Sequence, residues 1–225
     1  MLVVLNNKCN FTKEQFLEYQ KSLNEIKSNN TLILCPSSCY LPLFNLNNFI
    51  LGAQNESCYE EGSYTGEISA AQLQSLGVRY CIVGHYERRK YFNETNEIVN
   101  KKIINLLKQN IIPILCIEEY DDEILQKEIC TCLKNIEKDE LEKVIIAYEP
   151  TVSIGTGNIL NIDHLVPITK KIKQCLPNNN ILYGGGITEE NIQKIKDLKY
   201  IDGYLLGNIS LDIDKLNKFL QELEK

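Results

Sequence analysis

The sequence lacks the long apolar runs of a membrane protein, and it lacks the basic excess of a nucleic-acid-binding protein. No segment approaches the ~18 consecutive apolar residues that a membrane span needs. The first strand-like run, Met1–Leu5, carries no basic stretch of the kind that opens a signal peptide. The net charge of −6 leaves no surplus of Lys and Arg to displace counterions from a nucleic acid. These absences predict a cytoplasmic protein that binds neither nucleic acid nor membrane, although a small anion remains a fitting substrate.

The cysteines and histidines lack the spacing of a disulfide framework or a zinc site. The nine cysteines are an odd number and form no C-x-x-C pair. Several lie in apolar runs, where cysteine behaves as a small hydrophobic residue. The sequence has only two histidines, and they are far apart in the chain. We therefore expect reduced cysteines in an intracellular compartment and no metal site.

No linker divides the chain. It contains no stretch rich in proline, glycine and serine and no long block of like charge, so we predict one domain over residues 1–225. Apolar residues make up 44% and charged residues 24%, which is close to the average of soluble globular proteins and does not indicate disorder. The length is near the ~250 residues of a common single-domain barrel.

Short apolar runs recur along the chain and indicate strands. Most are too short for helices and are rich in Val, Ile, Leu and Tyr, so we interpret them as strands that are buried on both faces. The eight runs are Leu2–Leu5, Leu32–Cys35, Phe49–Ala53, Tyr80–Val83, Ile111–Ile117, Val144–Tyr148, Ile181–Tyr183 and Tyr204–Leu206.

Segments with helical periodicity lie between these strands. The last is the clearest, with apolar residues at i, i+3, i+4 and i+7, namely Leu216, Phe219, Leu220 and Leu223. Thr12 and Gln15 form a capping-box pattern, and Thr188 precedes Ile192 and Ile195 in the same manner. Eight strands alternating with helices predict a (β/α)₈ barrel, with a doubly wound open sheet as the alternative.

Ionisable residues and glycines follow several of the predicted strands directly. They are Asn6 and Lys8 after the first strand, His85 after the fourth, Glu149 after the sixth, Gly184–Gly186 after the seventh, and Gly207 and Asn208 after the eighth. Each feature alone is ordinary, since a lone His, a Glu before Pro or a glycine turn is often structural. Working residues of a barrel lie at the C-terminal ends of its strands, so their joint placement predicts one functional rim.

The chemistry of this rim suits proton abstraction next to the carbonyl of a phosphorylated substrate. A carboxylate removes a carbon-bound proton, while a neutral donor and a cation stabilise the charge that develops on oxygen. The segment Pro150–Asn158 contains Gly155 and Gly157, and it is either a mobile lid that excludes water or an ordinary surface turn.

Seven motifs, in order along nearly the whole chain, resemble those of the triosephosphate isomerase family. They are Asn6–Asn10 (family N-W-K-x-N), Gly52–Asn55 (G/A-A-Q-N), Tyr64–Glu67 (F-T-G-E), Ile82–Arg89 (I-x-G-H-S-E-R-R), Ala147–Pro150 with Ile154–Gly157 (A-Y-E-P-V-W-A-I-G-T-G), Ile181–Gly186 (I-L-Y-G-G-S) and Asp202–Gly207 (D-G-F-L-V-G). The resemblance implies a TIM barrel that interconverts dihydroxyacetone phosphate and D-glyceraldehyde 3-phosphate through an enediolate, in glycolysis and gluconeogenesis.

The resemblance also implies roles for four residues in proton transfer. Glu149 would move the proton between the two carbons, and His85 would polarise the carbonyl as a neutral imidazole. Lys8, with Asn6 nearby, would stabilise the enediolate. The family is itself the standard example of such a Glu and neutral His pair, so these roles come from the resemblance.

Further positions follow from the same resemblance. Backbone N–H groups would bind the phosphate at Gly155, Gly186, Gly207 and Asn208. The lid and its support would comprise Pro150, Ile154, Gly157, Tyr183 and Glu87. Thr65 would lie on the loop that reaches into a partner subunit, since the family is usually oligomeric; we expect a homodimer, with a tetramer as the alternative. No metal or organic cofactor is implied.

The sequence departs from the family pattern near the predicted site. Asn7 and Val152 replace Trp residues, Tyr86 replaces the Ser beside the histidine, Gly186 replaces the Ser of Y-G-G-S, and Asn208 replaces a Gly. Gly186 removes a hydroxyl that helps to hold the lid closed, which weakens closure by roughly ten-fold or less. Tyr86 brings bulk close to the base. The chain is also shorter than is common, and we expect a trimmed helix between Gly157 and Ile181.

These departures motivate a second function, a catalytically weakened barrel that binds phosphorylated ligands. The retained Asn6, Lys8, His85 and Glu149 argue against it, because a binding protein needs no proton shuttle. A third reading is an aldolase that uses Lys8 to form a Schiff base.

Overall fold

Eight parallel strands close into a barrel. The computed structural model describes residues 1–119 and 121–225. Each strand pairs with the next one along the chain, and the eighth pairs with the first. The strands are β1 Leu2–Asn6, β2 Thr31–Cys35, β3 Ile50–Ala53, β4 Tyr80–Val83, β5 Ile112–Ile117, β6 Ile145–Tyr148, β7 Ile181–Tyr183 and β8 Gly203–Leu206. All eight predicted strands are confirmed, each end within one residue, and the closed barrel excludes the open sheet.

Helices surround the barrel in the described chain. The α-helices are α1 Lys13–Asn24, α2 Ala70–Ser75, α3 Tyr86–Phe92, α4 Asn96–Lys108, α5 Asp122–Cys132, α6 Lys138–Leu141, α7 Ile162–Cys175 and α8 Ile213–Leu223, and the 3₁₀ helices are Ser38–Leu43, Ile192–Lys194 and Asn208–Leu211. The predicted capping box is confirmed at α1, because the Thr12 side chain accepts from the Gln15 N–H while Gln15 accepts from the Thr12 N–H. None of the described helices is long and apolar enough to cross a membrane.

The segment after Thr188 does not form the predicted α-helix. Thr188 and Asn191 do exchange hydrogen bonds in the manner of a capping box, but only the 3₁₀ turn Ile192–Lys194 follows. Ile192 and Ile195 are fully buried, and their spacing of three fits the three residues per turn of a 3₁₀ helix as well as one face of an α-helix. The pattern therefore predicted the buried face correctly and the helix type wrongly.

The connection between β7 and β8 crosses with a single 3₁₀ turn, which follows the Gly184–Gly186 loop. The segment between Gly157 and Ile181, where we expect trimming, contains α7 with 14 residues. The expected trimming relative to the family stays a prediction.

Two apolar layers hold the barrel together. Alternate residues of the strands point inward, and a cluster inside the barrel contains Val4, Ile33, Ile82, Ile114, Ala147, Leu182 and Leu205. The remaining strand residues pack outward against the helices in one larger cluster. Because both faces are buried, each strand reads as a continuous apolar run, and polar side chains occur only where a strand ends.

Gly203 allows β8 to approach β1 closely. A Cβ atom at this position would lie 2.0 Å from the Leu2 carbonyl oxygen, which belongs to the neighbouring strand. Backbone cannot move aside there without breaking the register Leu2–Gly203 that closes the barrel. Glycine at this position is therefore a condition of closure.

We predict that Gly203→Ala lowers the free energy of unfolding by at least about 2 kcal/mol, because the added methyl group overlaps backbone. Gly77→Ala is the matched control, since a Cβ there meets nothing within 4 Å and only the positive φ of 81° opposes it, at about 1 kcal/mol. Urea unfolding measures both variants. Equal midpoints for the two would contradict the role assigned to Gly203.

Candidate active site

One pocket at the C-terminal end of the barrel gathers most of the predicted site residues. It has a volume of about 470 Å³, and its walls include Asn6, Lys8, His85, Glu149, Ile154, Gly155, Gly157, Gly186, Gly207 and Asn208. Four predicted residues do not line it, namely Pro150, Tyr183, Glu87 and Thr65. Glu87 still contacts the pocket residue Lys8, whereas Thr65 lies exposed in the loop between β3 and α2.

Lys8 is held in an unusual backbone conformation. Its φ of 52° lies in the left-handed region, which a residue with a Cβ seldom adopts. The Lys8 N–H donates to Asn6 Oδ1 at 3.1 Å, and its carbonyl accepts from Ser37 Oγ and Gln54 Nε2, each at 2.9 Å. Lys8 Nζ lies 2.6 Å from Glu87 Oε1. The backbone and the ammonium group are therefore both fixed, and Ser37 is a supporting residue that the sequence did not reveal.

His85 is placed by a tight turn between β4 and α3. Gly84 has a φ of 66°, and its carbonyl accepts from Arg89 Nε at 2.7 Å, which anchors the turn. His85 is the N-cap of α3, and its Nδ1 accepts the backbone N–H of Glu87 at 3.2 Å. A nitrogen that accepts carries no proton, so this bond favours the neutral imidazole with its proton on Nε2.

Glu149 extends from the end of β6 toward His85. Its side chain is 5% exposed, and its Oε1 lies 3.4 Å from His85 Nε2. Its Oε2 has no hydrogen-bond partner among the described residues. A Cβ at Gly184 would lie 2.8 Å from Glu149 Cγ, so this glycine makes room for the carboxylate. A buried carboxylate oxygen without a partner is costly, and such a group is typical of a site that awaits a ligand.

Charge holds this carboxylate ionised despite its burial. Burial raises the pKa of Glu149, but the neighbouring His85, the Cys116 thiol and Lys8 together lower that pKa below its ordinary value. Burial lowers the pKa of His85, whereas the Glu149 carboxylate raises it above its ordinary value in the ligand-free site. The Glu87 N–H opposes protonation, because an imidazolium Nδ1 has no lone pair to accept it. Once a ligand separates the pair, burial and Lys8 favour the neutral ring.

A buried polar network supports the loop after β8. The 3₁₀ helix Asn208–Leu211 begins this loop, and the carbonyl of Ser210 accepts from the Tyr19 hydroxyl. Asn7 Nδ2 lies 3.4 Å from Tyr19 Oη and 3.4 Å from Ser210 Oγ. Asn7 thus uses the family's Trp position to connect the end of β1 to this loop. Neither Tyr19 nor Ser210 was predicted, because each meets its partner across most of the chain length.

The segment Pro150–Asn158 contacts the pocket, whereas Tyr86 does not. Within this predicted lid segment, Ile154 and Gly155 line the pocket and Val152 is 72% exposed. The Tyr183 hydroxyl accepts from the Leu160 N–H at 2.8 Å, just beyond the lid. Tyr86 does not line the pocket; its hydroxyl accepts from Lys90 Nζ at 2.9 Å on the exposed side of α3. The expected crowding of the base by Tyr86 was therefore wrong.

All nine cysteines carry free thiols in this structure. Within the described ranges, no group of three or more His, Cys, Asp or Glu side chains is arranged to hold a metal ion. The pocket therefore offers a carboxylate, an imidazole, an ammonium and backbone N–H groups as its chemistry.

Comparisons with known proteins agree with this geometry. A family model described as "Triosephosphate isomerase" matches residues 1–223. The triosephosphate isomerase of Mesomycoplasma hyorhinis is 39% identical, with 97% of this chain and 97% of the relative covered. That of Mycoplasma mobile is 34% identical, covering 94% and 95%. That of Wolbachia pipientis wMel is also 34% identical, covering 100% and 94%.

We predict that Glu149→Gln lowers the pKa of His85, because the carboxylate that raises it is removed while burial remains. Nuclear magnetic resonance of the imidazoles measures this directly, since the chain has only two histidines and the exposed His164 provides an internal reference. Glu87→Gln is the comparison variant and should lower the pKa less, because Glu87 has the weaker effect. An unchanged His85 titration in Glu149→Gln would show that the two groups do not interact.

Proposed function

The chain belongs to the triosephosphate isomerase family, and we propose that it interconverts dihydroxyacetone phosphate and D-glyceraldehyde 3-phosphate. One observation carries the proposal: Glu149 Oε1 and His85 Nε2 lie 3.4 Å apart, buried in a pocket that also contains Lys8. A base and a hydrogen-bond donor at this separation reach two adjacent atoms of a small substrate. The reaction would serve glycolysis and gluconeogenesis.

Proton transfer begins at Glu149. Its lowered pKa keeps it ionised at neutral pH, so the carboxylate can remove a proton from the carbon beside the substrate carbonyl. The C–H electron pair forms the carbon–carbon double bond of an enediolate, and negative charge moves to the carbonyl oxygen. The hydroxyl oxygen of the enediolate then loses its proton while the former carbonyl oxygen gains one. The protonated Glu149 returns its proton to the neighbouring carbon, which gives the other triose phosphate.

The enediolate oxygens are stabilised by His85 and Lys8. Neutral His85 donates its Nε2–H to the substrate oxygen. Because Nδ1 accepts the Glu87 N–H, the single proton of the neutral ring lies on Nε2. Lys8 contributes a positive charge whose position is fixed by Glu87 at 2.6 Å, and Asn6 at the end of β1 holds the Lys8 backbone. Donors that are already oriented need no rearrangement when the charge develops, which is the main source of their effect.

The phosphate lies at the other end of the pocket. Backbone N–H groups of the glycine-rich loops bind it, from Gly155, Gly186, Gly207 and Asn208. The Asn208–Leu211 helix begins at this point, and the first N–H groups of a helix lack internal partners and favour an anion. Phosphate binding by backbone N–H groups does not depend on the net charge of the protein, so it is compatible with the formal charge of −6.

The lid comprises Pro150, Ile154 and Gly157 with the residues between them. Closing it over the phosphate excludes water, which strengthens the interactions of the enediolate with His85 and Lys8. Tyr183 holds the chain at Leu160, so one end of the lid is anchored while Val152 remains exposed.

A homodimer is the assembly we propose, with a tetramer as the alternative. Thr65 lies on an exposed loop where Tyr59 and Tyr64 stack with their ring centres 4.2 Å apart, although both rings are largely exposed. Exposed stacked aromatic rings favour coverage by a second subunit. We further propose that residues 1–225 act as one cytoplasmic domain without a cofactor.

The aldolase reading is disfavoured by the state of Lys8. A Schiff base needs an amine that is free to attack the substrate carbonyl, whereas Lys8 Nζ is paired with Glu87 Oε1 at 2.6 Å. Borohydride treatment in the presence of substrate tests this alternative, because it would trap an imine irreversibly.

We predict that Glu149→Gln lowers kcat by at least about 10³-fold, because the amide cannot accept the carbon-bound proton. Turnover of D-glyceraldehyde 3-phosphate in a coupled assay measures the loss. Glu118→Gln, which neutralises a half-buried carboxylate at the end of β5, should stay within a few-fold of the wild type. Wild-type turnover no higher than that of Glu149→Gln would reject the proposed activity.

We also predict that 2-phosphoglycolate binds at least about 100-fold more tightly than inorganic phosphate, because its carboxylate mimics the enediolate at His85 and Lys8. Isothermal calorimetry on the wild type compares the two ligands. Similar affinities for both would instead support the barrel that only binds phosphorylated ligands.

A further inference from the structure

The lid ends directly against Gly186. This residue has a φ of 59°, and a Cβ there would lie 2.1 Å from the Asn158 carbonyl oxygen and 2.8 Å from the Asn158 backbone nitrogen. The backbone of Asn158 therefore occupies the space that a side chain at position 186 would need. A hydroxyl at this position cannot hold the lid in this arrangement, so another group has to do so.

Asn191 contacts both sides of this junction. Its Nδ2 donates to the Gly186 carbonyl at 2.9 Å and to the Gly157 carbonyl at 3.2 Å, and the residue is buried. Its Oδ1 accepts the Thr188 N–H at 2.9 Å, and its own N–H donates to Thr188 Oγ1 at 3.2 Å. Because Oδ1 faces a donor, the amide has a single orientation, with both Nδ2 hydrogens directed at the two carbonyls.

The connection between β7 and β8 brings Asn191 to this place. Asn191 directly precedes the 3₁₀ turn Ile192–Lys194, and the buried Ile192 fixes the start of that turn in the core. The backbone that bears the Asn191 side chain is therefore fixed by the packing of its neighbour Ile192. The same two-residue pairing of Thr188 with Asn191 that failed to begin an α-helix gives the side chain its fixed direction.

We propose that Asn191 is the positioning residue that ties the C-terminal end of the lid to the phosphate-binding loop, in place of the hydroxyl that Gly186 lacks. The inference rests on the proposed function, because it concerns closure over the same substrate. Fixing the carbonyls of Gly157 and Gly186 orients the peptide groups that follow them. The two hydrogen bonds from Asn191, together with the contact of Tyr183 to the Leu160 N–H, restrict lid movement to the part of the lid before Gly157.

Asn191→Asp tests this role with the smallest change of shape. The carboxylate still accepts the Thr188 N–H, but it sets an oxygen against the carbonyls of Gly157 and Gly186 where Nδ2 donated. Asn161→Asp is the matched control, since it makes the same charge change at the exposed N-cap of α7 and keeps the bond from the Asp163 N–H.

Val152→Trp supplies a reporter of lid closure. The chain contains no tryptophan, and Val152 is exposed on the lid, so the indole fluorescence of this variant comes from the lid alone. Titration with 2-phosphoglycolate in this background should show a fluorescence change. We expect Asn191→Asp to weaken the apparent affinity by about ten-fold, and Asn161→Asp to leave it unchanged.

Steady-state kinetics and phosphate release distinguish a role in lid closure from a role in stability alone. An enediolate exposed by an open lid can break its C–O bond to the phosphate, expelling inorganic phosphate and forming the enol of methylglyoxal. We expect Asn191→Asp, assayed at a temperature where it remains folded, to lower kcat/KM by about ten-fold and to raise the phosphate released per isomerisation. If this variant does not fold, Asn191→Ala should give the same directions with smaller changes, because it removes the donor without adding repulsion.

The outcomes separate this inference from the proposed activity. Wild-type affinity for 2-phosphoglycolate and wild-type phosphate release in folded Asn191→Asp or Asn191→Ala would overturn the role of Asn191. If the wild-type protein has no turnover but the ligand-induced fluorescence change of Val152→Trp still depends on Asn191, the isomerase activity fails and the lid attachment stands.

Discussion

The buried carboxylate of Glu149 is the constraint on which the rest of the site depends. A base must be ionised to accept a proton, yet burial disfavours its charge. The protein resolves this conflict with groups supplied from other strand ends: the His85 imidazole from the end of β4, which hydrogen-bonds the carboxylate, and the Lys8 ammonium from the end of β1. Only a closed barrel brings these strand ends around one pocket, so the protonation state of the base depends on the closure of the fold.

Glycine determines how closely these groups approach. Gly184 leaves space for the Glu149 side chain. Gly84 forms the turn that places His85 at the N-cap of α3, with its ring directed toward Glu149. Gly203, at the N-terminal end of β8, lets this strand approach β1 and so closes the barrel that carries the rim. Each of these positions would meet another atom within 3.0 Å if it carried a Cβ. Compact backbone at the rim is thus what leaves the pocket open for a ligand.

The strands and the rim were predictable because they follow from local pattern. A strand buried on both faces must be apolar throughout, and the polar residue that ends it must lie at the rim, so Lys8, His85 and Glu149 could be assigned from their neighbours in sequence. The Ile192 and Ile195 pair was ambiguous, because a spacing of three suits both a 3₁₀ turn and an α-helix. The spacing therefore predicted that both residues are buried, but it did not predict the type of helix.

The supporting contacts were not predictable for a different physical reason. Asn191 meets Gly157 from 34 positions away, and Tyr19 meets Ser210 from 191 positions away. Such pairs leave no periodicity in the chain, since they depend on how whole elements pack. They lie where the sequence departs from the family: Asn7 joins the Tyr19 network in a position of Trp, and Gly186 makes space for the backbone that Asn191 holds. At both positions a residue from elsewhere in the chain contacts the loop concerned, which would keep the proposed phosphate-binding loops in register with Glu149.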